Sequence, residues 1–589
     1  MTQRNYDASM LTFLMRDRAN ANFYKRQAYL TNTAANPATN YPLGNPQSGN
    51  FDASLIGNVA AGSYTTYTKA ALLSVPSVPC SCEVLGPLPF VDPPIPVDVS
   101  VLYAFEAFLA YAATQNYPPT VMSRLLYLWF ASVVGAWNWV QSSPQLSGTV
   151  DSWTWTTQSP LSYDDSTTWL ILAINAIMPR FVASGYDYAY LLNRTQTCHG
   201  WTSAELAAAI QRIQDAGAWS AWTTTWSSWY TNRGGDGSTT WKVGVSPPTP
   251  AVAFVNGTTY LNANDTVDPA TYADPSGWTP LWIQAVDVSG TWTGGTKQKY
   301  ATYNWGAVTS TCLSAKDETD LSGLAAPFFP GAALRQSELA DVVSKTAALT
   351  DSQKLTAEWW AGGPYTLTPP GILMWFWKHY MATYGSGGGD RAFLLSGLQI
   401  AVGLFETGRV VWAQKLAYKQ ARPIQEIRRL YRGQVLTGYN GQGVSGEAWM
   451  PYQEATFVTP PFPDFVSGHS AFSAMFAAVM AQWFGDTIRT DKTVTLTDLG
   501  LVTPMLAGSV QTRPFGSVVI PSGSSRVQPG AVPASPVTLG WTTWSDLAAS
   551  AGISRQYGGI HAQSAHLGSL ALVNGSTGLY QKIRTYWGV

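Results

Sequence analysis

Charged side chains are scarce in this chain of 589 residues. Asp, Glu, Lys and Arg together make up 12%, about half the roughly 25% of an average globular protein. The 34 basic and 35 acidic residues nearly cancel, leaving a formal net charge of -1. No basic field exists to attract nucleic acid or an anionic membrane, so no nucleic-acid partner is expected. Cysteine is almost as sparse, with four residues: Cys80, Cys82, Cys198 and Cys312. Cys80 and Cys82 stand too close to bridge each other easily and lack zinc-type spacing, so no thiol metal site is read. Long apolar runs are also missing. The most apolar stretch, Leu125 to Val140, falls short of the roughly 20 residues of a membrane span. Gly135 and Asn138 interrupt it. It reads as a buried core helix, and no membrane span is expected. Met1 to Asn20 is polar and charged and shows no secretory signal, which leaves export and localisation open.

Apolar residues are plentiful. They make up 46%, with 26 Trp, enough for a large core. With so little charge, the surface is built from Ser, Thr, Asn, Gln and Gly, or part of it is covered by other subunits; a homo-oligomer is expected. Trp219, Trp222, Trp226 and Trp229 read as packing residues rather than a stacking surface.

The chain divides into an N-terminal region, 1–330, and a C-terminal helical region, 331–589. Residues 1 to about 95 are loop-rich and end in prolines 87, 89, 93, 94 and 96. Periodicity predicts helices over Val99 to Thr114, Pro119 to Val140, Trp169 to Asn193 and Ser203 to Trp219. Residues 220–312, rich in Gly, Ser, Thr and Trp, predict short strands and loops. From Ala332 onward helices are predicted over Leu334 to Leu349, Ser352 to Gly362, Pro370 to Tyr384, and Asp390 to Ala421. A loop-rich insertion covers 486–540. Helices return at Ser545 to Arg555, Ile560 to Val573 and Gly578 to Trp587. Asn256 and Asn264 stand in glycosylation sequons, relevant only to an exported protein.

Three C-terminal segments carry chemistry. Lys415 and Arg422 are seven apart, which predicts one helix face and a separation of roughly 10 Å. Pro423 places Arg422 at the helix end. Alone, this is also a solvated basic face. Ser467-Gly468-His469 follows a proline-rich approach, Pro460 to Pro463, and opens an apolar helix. Its N-terminus favours an anion, although Ser467 also suits a plain N-cap and His469 a core position. Ser554-Arg555 is followed by Gly558, Gly559 and His561, with His561 predicted in the first turn of the next helix. Only five His occur in the chain, and two lie in these segments. Together they supply three cations, a hydroxyl, a backbone donor and two imidazoles, which suits a tetrahedral oxyanion.

The ordered pattern Lys-x6-Arg-Pro, Ser-Gly-His and Ser-Arg-x3-Gly-x-His resembles the superfamily of vanadium-dependent haloperoxidases and type 2 acid phosphatases. The resemblance spans Lys415 to His561. It implies a mainly α-helical protein whose C-terminal half is a helical bundle of the vanadium haloperoxidase type. Additional N-terminal helices and a loop and short-strand insertion complete it. In such a site Lys415, Arg422 and Arg555 bind the oxygens of vanadate, a site that phosphate can also fill. Ser467 and Gly468 add donors, His561 bonds the vanadium, and His469 is the acid/base group. The implied enzyme is an oxidoreductase that uses hydrogen peroxide to oxidise bromide, and chloride as the harder case. The hypohalous acid halogenates a small organic acceptor. Trp412 and Phe462 resemble the halide pocket of the chloride-oxidising members. The alternative is a phosphomonoesterase with His561 as nucleophile.

Two departures stand out. Val466 replaces the usual proline before Ser-Gly-His, which predicts a looser turn. Ala565 replaces the usual Asp four residues after the last histidine, so another group must orient that imidazole. Ser564, a backbone carbonyl or another segment could supply it. Asp390 and Glu406 are the candidates for a carboxylate on Arg555.

Overall fold

The computed structural model describes residues 99–140, 149–150, 153–154, 172–173, 202–238, 261–262, 276–286, 292–298, 300–384, 389–454 and 457–587. Cys80, Cys82, Cys198, both sequons, the N-terminal loop region and most of the helix predicted over Trp169 to Asn193 lie outside these residues. Cys312 is a free thiol, partly buried.

The architecture is mainly helical. Helix α1 is Val99–Thr114 and α2 is Pro119–Trp139. Pro119 suits the first turn of α2 because its missing N–H would be unpaired there anyway. α2 is long and apolar enough to cross a membrane by length and composition, and so is Ala392–Tyr418 within a later helix. Their apolar windows are 83% and 100% buried inside the fold. Such all-round apolar surface is what a core helix shows.

Helix α3, Ser203–Asp215, opens on a capping box of Thr202 and Glu205. The predicted helix to Trp219 does not continue. Gly217 takes φ +71, and a second helix, α4, runs from Ala218 to Gly234. Residues 220–234 are therefore helical, not strand and loop. Their Ser and Thr are weak helix formers, but Trp222, Trp226 and Trp229 share one face and are buried. Trp226 Nε1 donates to Ser132 Oγ of α2 at 2.8 Å. Tertiary burial of indoles here outweighs local propensity. Further on the insertion does form strands: Leu281–Val286 pairs parallel with Leu261–Asn262 and antiparallel with Trp292–Lys297.

Helix α5, Ala315–Ala325, is capped by Ser314 and Asp317 and was not foreseen. Helices α6 (Ala332–Ala347), α7 (Asp351–Trp359), α8 (Thr368–Tyr384) and α9 (Gly389–Tyr418) follow close to the periodicity. Then come α10 (Pro423–Leu430), α11 (Gly468–Phe484), α12 (Trp544–Tyr557), α13 (Gln563–Asn574) and α14 (Leu579–Trp587). The 486–540 insertion folds into two hairpins, Thr493–Leu496 with Gln511–Pro514 and Ser517–Ile520 with Val537–Gly540.

Helix α9 is the axis of the bundle, packed between α2 and α11, with α12 and α13 on the far side of α11. Two glycines allow this. A Cβ at Gly397 would stand 2.2 Å from the Phe130 ring of α2, and one at Gly403 would stand 2.9 Å from Met475 Sδ of α11. One apolar core joins α1 and α2 to the C-terminal helices, through Phe105, Phe130, Trp377, Leu398, Phe476 and Leu547.

Candidate active site

The proposed oxyanion residues sit where helices end. Helix α9 stops at Tyr418, and Lys419 turns the chain at φ +49. Arg422 is extended (φ -75, ψ 151) and caps α10. Lys415 and Arg422 therefore do not share a helix face, as their spacing had predicted; Pro423 ends the first helical path and starts a second. They meet through a turn instead. Both cations face the Phe462 ring, Lys415 Nζ at 5.1 Å and the Arg422 guanidinium at 5.0 Å from its centroid.

Ser467 is the N-cap of α11. Its N–H donates to Ala565 O at 2.9 Å, and Ser569 Oγ donates to Ser467 O at 2.7 Å. With Val466 fully buried, the segment is tied down on both sides, contrary to the looser turn expected without proline. Ser467 Oγ accepts from Ser470 Oγ at 3.1 Å, and Ser470 Oγ meets His566 Nδ1 at 2.8 Å. The Ser467 hydroxyl hydrogen is thus free to be donated. Gly468 is the first helical residue, so its N–H has no partner within the helix, and it lines the pocket.

His561 precedes α13, which starts at Gln563 after Ala562; it is not in the first turn. Its ring is held at both nitrogens. Nδ1 is bonded to Asp464 Oδ1, and Nε2 lies 3.1 Å from Arg422 Nη1. A carboxylate on Nδ1 fixes the Nδ1–H form and leaves the Nε2 lone pair toward the cations. Asp464 Oδ2 accepts from Arg335 Nη1 at 2.9 Å, and Arg335 Nε donates to Glu426 Oε2 at 2.8 Å. Asp464 thus comes from another segment to do the work that Ala565 cannot. The sequence reading passed over it. Its one signal was a lone acid among prolines, three residues before Ser467.

The basic groups lie deep: Lys415 is 0%, Arg422 1% and Arg555 1% exposed. Lys415 Nζ donates to Pro463 O at 2.7 Å and Asp464 O at 3.0 Å. Arg422 donates through Nε to Phe462 O at 2.7 Å and through Nη1 to Ile560 O at 2.8 Å. Arg555 Nη1 donates to Trp360 O at 2.8 Å. Among the described residues none of the three pairs with a carboxylate. Glu406 is engaged elsewhere, accepting from Thr311 N at 2.6 Å and Arg409 Nη1 at 2.8 Å, and the Asp390 side chain lies outside the described residues. Arg422 Nη2 and Arg555 Nε are buried without a hydrogen-bond partner.

The charges of these groups act on one another. Burial pushes Lys415 well below its usual value, and the Arg422 charge pushes it further. Burial and Arg422 act in the same direction on Arg555. His561 is lowered well below its usual value by burial and then by Arg422. His469 is lowered by burial and then by Arg555. Both imidazoles are therefore neutral near pH 7. His469 Nε2 donates to Trp360 O at 2.7 Å, the same carbonyl that holds Arg555.

A cavity of about 190 Å³ opens onto Gly468, His469 and His561. Trp412 and Phe462 line its inner end with ring centroids 4.8 Å apart. Trp412 Nε1 donates to Ala301 O at 2.8 Å. Lys415, Arg422 and Arg555 are not among the residues that line the cavity; Lys415 and Arg422 lie against the Phe462 ring.

Among the described residues no carboxylate forms an ion pair with these buried basic groups, although the Asp464 charge acts on Lys415 and Arg422, and two donors are orphaned. Such a site favours an anion, since an unpaired buried charge is costly. The donor set of guanidiniums, ammonium, hydroxyl, amide and one imidazole nitrogen fits a vanadate or phosphate oxyanion. Among the described residues no group of three or more His, Cys, Asp or Glu could chelate a metal cation.

Residues 396–587 match the family described as the VCPO second helical-bundle domain. The fold is similar to that of the apo-type bacterial vanadium-dependent chloroperoxidase, at 14% identity and a TM-score of 0.53, over 80% of this chain and 95% of that one. The holo-type crystal structure of a bacterial vanadium-dependent chloroperoxidase gives 15% and 0.51, over 80% and 93%. A bacterial vanadium-dependent iodoperoxidase gives 17% and 0.51, over 84% and 98%. No match was found among curated proteins. The family match lies in the C-terminal part of the chain, and the solved structures, at 14–17% identity, share its fold.

Proposed function

We propose that this protein is a vanadate-dependent haloperoxidase, which oxidises bromide, and chloride with more difficulty, using hydrogen peroxide. The observation that carries this reading is the His561 Nε2 lone pair beside Arg422, among buried basic groups that form no ion pair with a carboxylate among the described residues, with His561 lining an apolar cavity. Lys415, Arg422, Arg555, Ser467 and Gly468 would hold the oxygens, and His561 Nε2 would tether the centre. The chemistry supplied by bound vanadate is activation of peroxide for two-electron oxidation of halide, with no change in its own oxidation state.

The chain's residues supply the rest. Asp464 keeps His561 in the tautomer that can bind. The buried donors are fixed before the reaction, so they stabilise negative charge without reorganising. His469 is neutral and can accept a proton from a bound reactant. Trp412 and Phe462 exclude water from the halide, which strips its solvation and favours its attack.

The same lone pair and cage would also serve a phosphomonoesterase with His561 as nucleophile. A paired assay separates the two. Bromination of a phenolic reporter is measured with peroxide and added vanadate, and hydrolysis of an aryl phosphate without vanadate. Bromination alone is expected. Hydrolysis alone would overturn the reading, and neither activity would leave an oxyanion-binding protein.

A further inference from the structure

The cavity in front of the two histidines is larger than peroxide or halide needs. Much of its wall comes from residues outside the oxyanion motifs. The α1–α2 turn contributes Tyr117 and Pro118, the α7–α8 loop Gly363 and Pro364, and the approach to Ser467 contributes Phe457 and Pro461. Phe472 of α11 also lines it. The two outer loops are laced together, because Asn116 Oδ1 accepts from Tyr365 N at 3.3 Å.

The wall is aromatic and proline-rich, and among the described residues no Asp, Glu, Lys or Arg lines it. Some of its polar atoms are occupied: Asn116 Oδ1 by Tyr365 N, and Thr368 Oγ1 by Leu367 O at 2.7 Å, while Tyr117 and the His469 and His561 rings also line it. The Trp412 indole N–H is spent on Ala301 O. The lining offers neutral donors and acceptors and flat apolar faces, but no charged side chain to pair with an ionic substrate. An apolar cavity of roughly 150 Å³ is enough to hold benzene, and this one measures about 190 Å³.

We propose that this cavity binds an uncharged aromatic acceptor of one ring, or of indole size, beside the site where halide is oxidised. This rests on the haloperoxidase reading above. Halogen would then pass to the ring before hypohalous acid escapes. The ring π electrons form the carbon–halogen bond, the halogen–oxygen bond breaks with its pair staying on oxygen, and the displaced ring proton completes a water molecule. Specificity is set by the outer wall, not by the cation cage.

Equilibrium binding of p-cresol to the full-length protein, without vanadate or peroxide, tests this by titration calorimetry. Saturable binding at one site is expected, with 4-hydroxybenzenesulfonate binding at least tenfold more weakly. A Cβ at Gly363 would lie 3.6 Å from Phe457 Cδ1, and Gly363 has no positive φ. Gly363→Leu should therefore fit the backbone and close the cavity, weakening p-cresol about tenfold. Phe457→Ala should open the wall and shift preference toward 2-naphthol, which keeps the test alive if the first variant folds poorly. No saturable binding, equal binding of the sulfonate, or affinities unmoved in both folded variants would overturn the proposal. Bromination of phenols without such binding would sink this inference and leave the haloperoxidase reading standing. Binding without any bromination would do the reverse.

Discussion

Asp464 and His561 are bonded carboxylate to imidazole across 97 residues of sequence. The bond leaves only Nε2 of His561 to face Arg422. Asp464 is itself gripped by Arg335, and Arg335 by Glu426, so a buried chain of charges fixes the ring. Partners that orient a ligating histidine typically affect metal affinity by about 10–100-fold when removed. Asp464→Asn should raise the Kd for vanadate by about that factor, and Asp464→Glu, if it packs, should recover part of it. Titration of vanadate into each protein measures this. An unchanged Kd in a folded Asp464→Asn protein would mean that the ring needs no such partner.

His469 has a different task and should fail differently. Its Nε2 is committed to Trp360 O, which sets the tautomer and leaves Nδ1 as the basic nitrogen. On the proposed reading it moves a proton rather than holding the oxyanion. His469→Ala should lower kcat for bromide oxidation by about 10²–10⁴, while vanadate still binds with near wild-type affinity. Steady-state kinetics with parallel binding titrations give the comparison. A loss of binding equal to the loss of rate would make His469 a ligand instead.

Much of this site could be read from the sequence because motif spacing reports chain-local geometry. Ser467, Gly468 and His469 stand at a helix start as expected, and the predicted helices around α8, α9 and α12 lie within a few residues of those observed. What could not be read were features decided by tertiary contact. The orienting carboxylate comes from Asp464, since nothing local to His561 announces a partner almost a hundred residues away. Helix α4 forms because three indoles find a core, a fact invisible in its Ser and Thr content. The Lys415–Arg422 pair was assigned to one helix because a spacing of seven fits two turns, and the left-handed Lys419 that breaks the path leaves no mark in hydrophobic periodicity. Glu406 was a plausible partner for Arg555 by charge alone, yet it belongs to Arg409 and Thr311.

The unpaired cage should make the anion-free protein less stable than it could be. Arg555 is buried beside Arg422 with no carboxylate partner among the described residues. Replacing it with methionine keeps much of the volume and removes a buried charge, so Arg555→Met should raise the anion-free Tm by a few degrees, a stability gained at the expense of function. In the wild-type protein, vanadate at about 100 times its Kd should add about 2.7 kcal/mol. The variant should show little of that gain. Thermal melts with and without vanadate test both statements. A variant that melts lower without the anion yet responds fully to it would overturn the assignment of Arg555 to the cage.

Glu358 at the end of α7 makes a pH-dependent tie. Its carboxylate accepts from Tyr452 OH at 2.8 Å and from Arg526 N at 2.6 Å, and it also meets Ser525 Oγ. These contacts pin the 521–533 loop to the helix whose last carbonyls hold Arg555. Burial nevertheless pushes the acid up to about 7, only partly opposed by these hydrogen bonds, and the nearby Glu454 adds to the rise. In the unfolded chain the group returns to its ordinary value of 4.5. Between these values the folded protein holds a proton that the unfolded chain has released, so stability must fall as pH rises through that window and level off above about 7. At about 1.4 kcal/mol per pH unit of separation, the loss is on the order of 3 kcal/mol. Glu358→Gln cannot ionise and should flatten this slope. Its Tm should change less than that of the wild type between pH 5 and pH 7.5, where differential scanning calorimetry can follow both. Parallel curves for the two proteins would show that Glu358 stays ionised throughout, and that its three donors outweigh its burial.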